Sequence, residues 1–261
     1  MKITFLGTGT SCGVPVMGCR CEVCTSDNPH DRRLRCSALV ETDTTRLLID
    51  CGPDFREQML PQPFRKIDGI LVTHSHYDHV GGMDDLRPFC IFGDIDIYAD
   101  SRAAANIRHN MPYCFVENKY PGVPRVNLVE VEPHVAFTVG DLSVTPLRIM
   151  HGAIPILGFR VTPVKSPSPS LVYITDMKSI PLDETAYARD ADLLVVNALR
   201  FTKPHHSHIL VDDAIAFSRE VSPRLTLLIH SCHDIGLHEE VNRRLPDGIR
   251  LAYDGEVVEL G

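Results

Sequence analysis

The 261-residue sequence predicts an α/β protein in which β-sheets are covered by helices. Short apolar runs, most of them rich in β-branched side chains, recur along the chain and are typical of strands. Helical patterns lie between the later runs, most clearly at residues 183–191 and 211–222. No linker divides the chain, and its length suits one large domain, so we expect a single domain over residues 1–261.

The predicted strands are spread over the whole chain. In order they are ITFL (3–6), ALV (38–40), RLLI (46–49), GILV (69–72), IDIYA (95–99), LSVTPLRI (142–149), LVYIT (171–175), LLVV (193–196), LTLLI (225–229) and EVVEL (256–260). The stretch GTGTSCG at 7–13 predicts a tight turn, because its glycine spacing differs from the dinucleotide-binding pattern. Asp212 and Asp213 suit the start of the second helix, where carboxylates stabilise the positive end of the helix dipole.

The composition excludes some classes of partner. The net charge of −8 argues against binding of a long nucleic acid, which demands a basic face, but it permits a small anionic substrate if metal ions reverse the local field. No apolar run approaches the roughly 20 residues that cross a bilayer, and MKITFLGTGT predicts a first strand rather than a secretory signal. Nine cysteines is an odd number, so we expect reduced thiols, a cytoplasmic location and metal binding rather than a disulfide framework.

The stretch GILVTHSHYDHVGG at 69–82 concentrates ligand-type side chains directly after a predicted strand. They are His74, His76, Asp78 and His79. In an extended segment, side chains two residues apart lie on one face at about 6.5 Å spacing, so the first two histidines can converge on one ion. If a helix starts near Asp78, this carboxylate and His79 face a second position. Since one ion is satisfied by three or four ligands, the segment predicts more than one metal.

Other candidate ligands end predicted strands elsewhere in the chain. They are Asp50 after RLLI, His151 after LSVTPLRIM, Asp176 after LVYIT and His230 after LTLLI. Any one of them alone is explained as an ordinary turn residue. Four strand ends that each deliver a histidine or an aspartate predict a shared site, because loops at one edge of a rigid sheet commonly carry functional residues.

These residues resemble the metallo-β-lactamase fold, whose H-x-H-x-D-H signature matches THSHYDHVGG, and the resemblance runs from FLGTGTSCGVP through LLIDCG to His230. It implies an αβ/βα four-layer sandwich with helices outside two packed sheets. It also implies that one divalent metal is held by His74, His76 and His151, and a second by Asp78, His79 and His230. Asp176 would bridge the two, and Asp50 would support the ligands. Histidine and carboxylate ligands suit zinc, manganese and iron alike.

A second metal site is predicted near the N-terminus, in a loop at about residues 12–36. GCRCEVC places Cys19, Cys21 and Cys24 in a C-x-C-x-x-C pattern, which leaves tetrahedral zinc one ligand short, and HSCH offers His233. Together with GVP at 13–15 and R-x-x-x-C-S at 32–37, the pattern is similar to the phosphoribosyl 1,2-cyclic phosphate phosphodiesterases of the bacterial phosphonate pathway. That resemblance implies one structural zinc and a homodimer. Residues 100–135 carry no matching motif.

The predicted function is therefore a dinuclear metal-dependent phosphodiesterase that hydrolyses a small, cyclic phosphate ester. Two metals that share a bridging hydroxide would supply the nucleophile and bind the non-bridging phosphate oxygens. By the same resemblance, His208 in KPHHSHILVDDA is the candidate general acid for the leaving alkoxide, and Asp78 is essential because it holds one metal. The prediction for His208 has the plain alternative of a solvent-facing loop histidine.

Three alternatives remain open at the level of the sequence. The first is a transfer-RNA 3′-processing nuclease of the same fold, which FLGTGT also resembles, although the acidic balance opposes it. The second is hydrolysis of a thioester, lactone or lactam, although thioester hydrolases of this fold usually carry a further helical domain. The third is a non-catalytic, metal-stabilised binding protein, which has no need for an open two-metal centre.

Overall fold

A computed structural model of the protein describes residues 1–118 and 120–261. In it the apolar runs form strands, because their β-branched side chains alternate between two buried faces. The strands are β1 (Lys2–Gly7), β2 (Ser37–Glu41), β3 (Arg46–Ile49), β4 (Gly69–Leu71), β5 (Ile95–Ala99), β6 (Val126–Glu130), β7 (Phe137–Val139), β8 (Leu142–His151), β9 (Ile154–Pro163), β10 (Leu171–Ile174), β11 (Leu193–Asn197), β12 (Leu225–Ile229), β13 (Ile249–Leu251) and β14 (Val257–Glu259).

The strands make two seven-stranded sheets. The first has the order β14–β1–β2–β3–β4–β5–β6 and the second the order β13–β12–β11–β10–β9–β8–β7. Strands β3 to β6 are parallel, and so are β10 to β13. Because β8 and β10 both pair antiparallel with β9, they run in the same direction. The carboxyl ends of β8, β10 and β12 therefore share one edge of the second sheet.

The two sheets pack face to face around a common core. Phe5 and Leu47 of the first sheet and Phe159, Tyr173 and Val195 of the second belong to the same buried cluster, and each has no exposed surface. Burying such side chains contributes roughly 25 cal/mol per Å² of apolar surface removed from water. The packed sheets therefore form a rigid frame for the loops at their edges.

Helices cover the outer faces of both sheets. They are α1 (Phe55–Met59), α2 (Tyr77–Val80), α3 (Ser101–Asn110), α4 (Thr185–Ala188), α5 (Val211–Val221) and α6 (His238–Arg244), with 3₁₀ turns at Val23–Thr25, Pro29–Asp31, Met83–Phe92, Pro112–Cys114 and His233–Ile235. Residues of α1 and α3 join a second buried cluster outside the first sheet, and residues of α4, α5 and α6 join a third outside the second sheet. The predicted αβ/βα four-layer sandwich is confirmed.

Local sequence explains where the two longest α-helices begin. Asp100 caps α3, since its carboxylate accepts a hydrogen bond from the backbone N–H of Ala103 at 2.6 Å. Asp213 in the first turn of α5 accepts one from the backbone N–H of Leu210 at 3.0 Å. Both bonds satisfy N–H groups near a helix start, which supports the predicted start of α5.

Several elements were not predicted from the sequence. They are strands β6, β7, β9 and β13 and helices α1, α3 and α6. Strand β9 contains Pro155 and Gly158, which weaken a strand pattern, yet it is held along its length by β8. Helix α4 spans four residues rather than the nine predicted for 183–191. In each case the contacts with neighbouring elements outweigh the local propensity.

Two further features of the structure concern the lengths of its helices and the state of its cysteines. Across residues 1–118 and 120–261, every helix is too short or too polar to cross a membrane. Cys12, Cys19, Cys21, Cys24, Cys36, Cys51, Cys90 and Cys232 are free thiols. The single domain predicted for residues 1–261 stays a prediction.

Candidate metal centre

Strand ends place several predicted ligands at one edge of the packed sheets. Asp50 follows β3, Asp176 lies two residues after β10, and His230 follows β12. All three adopt left-handed backbone conformations, with φ of 57°, 56° and 55°. Such angles are uncommon outside glycine and concentrate at functional sites, where the surrounding structure holds the strained backbone in place.

A close backbone contact fixes the segment that carries Asp78 and His79. The backbone N–H of Cys51 donates to the carbonyl of His79 at 2.7 Å. Gly52 lies so close that a Cβ added there would be 2.1 Å from the carbonyl oxygen of Asp78. Only glycine permits this approach, so the loop after β3 and helix α2 pack as one unit.

The predicted ligands form two adjacent groups, which together are called the strand-end centre. Inside each group, the candidate ligand atoms lie no more than 4.8 Å from one another. The groups are His74, His76 and His151, and Asp78, His79, Asp176 and His230. In the first group, His74 Nε2 lies 3.0 Å from His76 Nδ1. His151 has Nδ1 placed 2.7 Å from the carbonyl oxygen of Asp176, which leaves its Nε2 free for a ligand.

Two carboxylates face two imidazoles in the second group. His79 Nε2 lies 3.2 Å from an Asp78 oxygen and 3.3 Å from Asp176 Oδ2. His230 Nε2 lies 3.2 Å from the other Asp176 oxygen, Oδ1. Asp176 also forms a separate ligand-capable group with His151 and His208. Its carboxylate is therefore close to candidate ligands of both groups.

Buried ring nitrogens without a hydrogen-bond partner indicate whether this centre fits metal ions. Among the described residues, His79 Nε2 and both ring nitrogens of His230 are buried without a hydrogen-bond partner. An unsatisfied buried polar group costs about 1–3 kcal/mol. A cation bound to Nε2 of each ring would supply the missing partner of these two nitrogens, so the donor set fits a pair of divalent metals.

Asp50 lies behind the centre, in contact with His79. Its carboxylate accepts hydrogen bonds from the backbone N–H and the hydroxyl of Thr73, both at 2.8 Å, and lies 2.7 Å from His79 Nδ1. This contact places the Nδ1 proton of His79 toward Asp50 and leaves Nε2 for the centre. Burial raises the pKa of Asp50, against the opposing effect of His79.

Two supporting groups escaped the sequence analysis. Thr73 binds Asp50 and directly precedes His74, so its position next to the ligand stretch could have drawn attention to it. Ser207 supplies a carbonyl oxygen 3.0 Å from His151 Nδ1. A backbone carbonyl has no signature in the sequence, because every residue carries one.

Burial and opposing charges set the protonation of the centre. Burial, together with the charge of His79, lowers the pKa of His74 well below its ordinary value, which keeps the ring neutral. Burial also disfavours a charged His79, but the carboxylates of Asp176 and Asp50 outweigh it and raise the pKa of His79 well above the ordinary value. Burial opposes ionisation of Asp176, yet His230 and His79 hold its pKa well below the usual range. The centre thus favours anionic carboxylates that attract cations.

His208 lies in the same pocket. It is 8% exposed, its Nδ1 is 3.8 Å from Asp176 Oδ1, and its ring centroid is 4.9 Å from that of His151 and 4.8 Å from that of His230. Burial and the nearby His230 lower the pKa of His208 to about 3. The alternative of a solvent-facing loop histidine does not agree with this burial.

The predicted cysteine ligands also come together, in what we call the thiolate cluster. Its members are Cys19, Cys21, Cys24 and His233. His233 Nδ1 lies 3.4 Å from Cys19 Sγ and 3.2 Å from Cys21 Sγ. The hydrogen bond to His233 lowers the pKa of Cys21 to about 6, whereas burial raises that of Cys24 to about 11. Three sulfurs and one imidazole nitrogen match the ligand number of tetrahedral zinc.

Comparison with known sequences gives a family match and several relatives. The family model of the β-lactamase superfamily domain matches residues 45–231. An octanoyltransferase from Porphyromonas gingivalis is 43% identical over 256 residues, which cover 98% of this chain and 51% of that protein. The chain thus spans about half the length of this relative. A ribonuclease Z from Bacillus subtilis is 26% identical over 271 residues, covering 97% of this chain and 80% of that protein.

Solved structures agree with the fold. A diphosphatase from the PhnP family is 38% identical, with a TM-score of 0.89, and the match covers 99% of this chain and 97% of that one. Zinc-bound PqqB from Methylobacterium extorquens has a TM-score of 0.80 at 20% identity, with full coverage of both chains. At this lower identity the likeness to PqqB shows a shared fold alone.

Proposed function

The chain belongs to the β-lactamase superfamily, and on that basis we propose that it is a dinuclear metal-dependent phosphodiesterase. The observation that carries the proposal is the position of Asp176 between two ligand groups. Its oxygens lie 3.3 Å from His79 Nε2 and 3.2 Å from His230 Nε2 in the second group, and its carboxylate also lies within 4.8 Å of a ring nitrogen of His151 in the first group. A carboxylate with two available oxygens can serve two cations at once, which is the arrangement that two-metal hydrolases use.

The ligand sets divide as follows. The first cation would be held by His74, His76 and His151, the second by Asp78, His79 and His230, and both by Asp176. When bound, such a pair lowers the pKa of a water molecule toward neutrality and neutralises charge on the phosphate. Zinc, manganese and iron all suit this ligand chemistry.

The protein's own side chains orient the site and handle protons. Asp50 fixes the His79 ring through the 2.7 Å contact at Nδ1, and the carbonyl of Asp176 fixes His151 in the same way. His208 reaches the pocket from the loop before α5, with Nδ1 3.8 Å from Asp176. We propose that His208 donates the proton to the departing alkoxide, a role that requires a position within reach of the leaving group. A pKa of about 3 leaves the ring neutral in the substrate-free site, so this role also requires that the negative charge of the bound phosphate raise the pKa of His208 until the ring is protonated.

The proposed substrate class rests on one relative and on the net charge of the chain. The diphosphatase from the PhnP family, which is 38% identical, indicates hydrolysis of bonds between phosphorus and oxygen. Small size follows from the net charge of −8, which disfavours long polyanions. A small, cyclic phosphate ester is the substrate that we propose, and the predicted homodimer stays a prediction.

The thiolate cluster would hold a structural zinc. Its ligand atoms lie within 4.8 Å of one another, and it joins the loop after β1 to the 3₁₀ turn after β12. The backbone N–H groups of Val16 and Cys24 donate to cluster sulfurs at 3.4 and 3.5 Å. Such donors stabilise thiolates, so the surroundings suit a bound cation.

Processing of RNA is the second candidate function. The ribonuclease Z of Bacillus subtilis matches 97% of this chain, and both chemistries hydrolyse a phosphodiester. The acidic balance of this chain is the observation against it. RNA engagement through many phosphates would weaken steeply as salt is raised, whereas turnover of a small ester would not.

The name octanoyltransferase belongs to a relative of which this chain spans 51%. In this chain the matched residues include the histidines and aspartates of two candidate ligand groups, which suit hydrolysis by metals rather than acyl transfer. We therefore do not extend that activity to this chain.

A substrate panel combined with metal analysis tests the proposed function. Cyclic nucleotides, cyclic ribose phosphates, linear diesters and a transfer-RNA precursor are assayed on one preparation whose metals are counted. We expect about two exchangeable metals and one tightly held zinc per chain, with the highest kcat/KM on a small cyclic ester. Preference for the RNA would replace this proposal by the second candidate, and one metal at the strand-end centre would contradict the dinuclear mechanism.

A further inference from the structure

A pocket lies between helix α2 and the C-terminal end of α3, and we call it the aromatic pocket. Its volume is about 420 Å³, within the range of about 300–1,000 Å³ that is common for small-molecule sites. The apolar and aromatic side chains that line it are Tyr77, Val80, Met83, Ile107, Met111 and Tyr113. The pocket is therefore large enough for an organic ring system and has a lining that suits one.

The two tyrosines of the aromatic pocket are exposed beside a buried apolar base. Val80, Met83 and Ile107 are buried, whereas Tyr77 is 70% exposed and Tyr113 is 39% exposed. An aromatic ring that stays in water next to buried apolar side chains offers a face on which another ring can stack.

The charge of the lining favours a neutral ligand. Asp84 is the one charged side chain that the structure describes in the pocket wall, and its Oδ2 is paired with Arg87 Nη2 at 2.6 Å. A phosphate would find no cation among these lining residues. The pocket thus suits the uncharged part of a substrate rather than its phosphate.

Local packing fixes both tyrosine rings. A Cβ added at Gly81 would lie 2.7 Å from Tyr77 Cε2 and 2.8 Å from Cδ2, so only glycine lets the Tyr77 ring lie directly against α2. The Tyr113 hydroxyl donates a hydrogen bond to Asp84 Oδ1 at 2.9 Å. Because these rings are held before a ligand arrives, little side-chain entropy is lost when it binds.

The aromatic pocket adjoins the strand-end centre through the chain itself. Tyr77 stands between His76, a proposed ligand of the first metal, and Asp78, a proposed ligand of the second, and consecutive Cα atoms are only about 3.8 Å apart. The side-chain amide of Asn106 on α3 donates to the Ser75 hydroxyl at 2.8 Å, which ties the α3 wall to the same segment. One small molecule can therefore contact both the metals and the Tyr77 ring.

We propose that the aromatic pocket binds a neutral, planar ring of the substrate, such as a nucleobase, stacked on Tyr77. The inference rests on the proposed function, since it places the phosphate of the same molecule at the strand-end centre. Stacking on an aromatic side chain tolerates different bases, because every base has a π-face. The preferred substrates are thus small phosphodiesters that carry an aromatic ring, rather than esters of sugars alone.

Two compounds that differ only in the ring test the aromatic pocket. They are adenosine 2′,3′-cyclic phosphate and methyl β-ribofuranoside 2,3-cyclic phosphate, which has a methoxy group in place of adenine. Each is measured on the metal-loaded wild type and on Tyr77→Ala, Tyr77→Phe, Tyr113→Ala and Tyr120→Ala. Tyr120 is the matched control, because it is a 78% exposed tyrosine outside the pocket wall.

The measured quantity is the ratio of kcat/KM between the two compounds, and the compound without the base reports on the metal centre itself. We expect the wild type to favour the adenosine compound by about 10- to 100-fold, the range for stacking of one base on an aromatic side chain. Tyr77→Ala should reduce the ratio to within about threefold of unity, whereas Tyr77→Phe should retain it because the ring remains. Tyr113→Ala, which leaves the ligand stretch untouched, should lower the ratio by about threefold or more, and Tyr120→Ala should retain it.

The outcomes separate the aromatic pocket from the proposed function. If the wild type hydrolyses neither compound, the proposed activity on cyclic esters fails, and the ratio of the two Kd values from calorimetry then decides the pocket. A ratio that depends on Tyr77, in kcat/KM or in Kd, supports the pocket. A wild type without preference, or a preference that survives in Tyr77→Ala, overturns it.

Metal analysis of each variant guards against an indirect effect of Tyr77, which stands between two proposed ligands. An equal loss on both compounds in a Tyr77→Ala protein that keeps its metals overturns the pocket, because the ring would then act on the centre as a whole. If Tyr77→Ala loses metal, Tyr113→Ala decides instead, and an unchanged ratio in that variant overturns the proposal.

Discussion

The strand-end centre and the thiolate cluster are built from different parts of the molecule. The first takes its ligands from the ends of core strands and from α2, and most of them are buried. The second takes three ligands from the loop between β1 and β2, where the cysteines are half-buried, and one from the turn after β12. The sheets hold the strand-end centre in place, whereas three ligands of the thiolate cluster lie on a loop outside the sheets.

This difference predicts different consequences of metal loss. Strand ends are fixed by the sheet ladders and by the buried core, so an empty strand-end centre keeps its shape and loses its chemistry. We expect the loop of the thiolate cluster to gain order from a bound ion, because metal binding and folding are often linked in sites built on loops. Substitutions at the two sites should therefore separate activity from stability.

Replacing Asp78 with Ala should have the largest effect on activity. The substitution removes one ligand of the second metal, and changes of mere supporting partners already cost about 10- to 100-fold, so we expect a loss of more than about 100-fold in kcat. The metal count should fall by one, while the melting temperature stays within a few degrees. Activity assays and metal analysis check this.

Asp84→Ala is the matched control, since Asp84 lies in the next turn and pairs with Arg87 rather than facing the centre. It should retain full metal content. Unchanged activity in Asp78→Ala would refute a catalytic role for the second metal.

His208→Ala should lower kcat by about 100-fold or more on esters with poor leaving groups, the range for a lost general acid. Both metals should stay bound, because the ring is placed as a neighbour of the ligands. With nitrophenolate as the leaving group, which needs no proton, the loss should be small. His206→Ala, an exposed neighbour, serves as the control. Equal losses on both types of substrate would remove the acid role.

Much of the strand-end centre could be predicted from the sequence, because its ligands follow strands that the apolar runs identify. His74, His76, Asp78 and His79 form one compact motif, and the remaining histidines and aspartates end apolar runs. The backbone conformations and contacts that position these ligands could not be predicted from the sequence. The left-handed conformation of His230 and the backbone contact at Gly52 depend on which loops the fold brings together.

Helix α3 and its part in the site were not predicted from the sequence. It lies within residues 100–135, where no motif was found, yet it supplies Ile107 and Asn110 to the aromatic pocket beside the centre. The thiolate cluster joins residues more than 200 positions apart, with a separation of 214 between Cys19 and His233. Local patterns cannot specify such a contact, and only the resemblance of the combined motifs suggested it.

Asp50→Asn should have an intermediate effect on the strand-end centre. The amide keeps the shape but loses the charge that favours the proton on His79 Nδ1, so we expect a loss of about 10- to 100-fold in metal affinity or activity. Titration of the metal-free protein with zinc measures the affinity, and Asp43→Asn on an exposed turn is the control. Metal affinity equal to that of the wild type would show that His79 is oriented by other contacts.

Cys24→Ser should have the smallest effect on the chemistry and a clear effect on stability. The zinc content should fall by one, and a loss of about 2–3 kcal/mol would lower the melting temperature by about 4–12 °C in a chain of this size. At temperatures where the variant is folded, kcat should stay within about threefold of the wild type, because the strand-end centre is held by the sheets. Cys12→Ser is the control, since Cys12 is an exposed thiol of the same loop outside the cluster. If Cys24→Ser instead abolished activity at unchanged melting temperature, the two metal sites would be coupled through the segment between His230 and His233, and the division between a chemical and a structural site would fail.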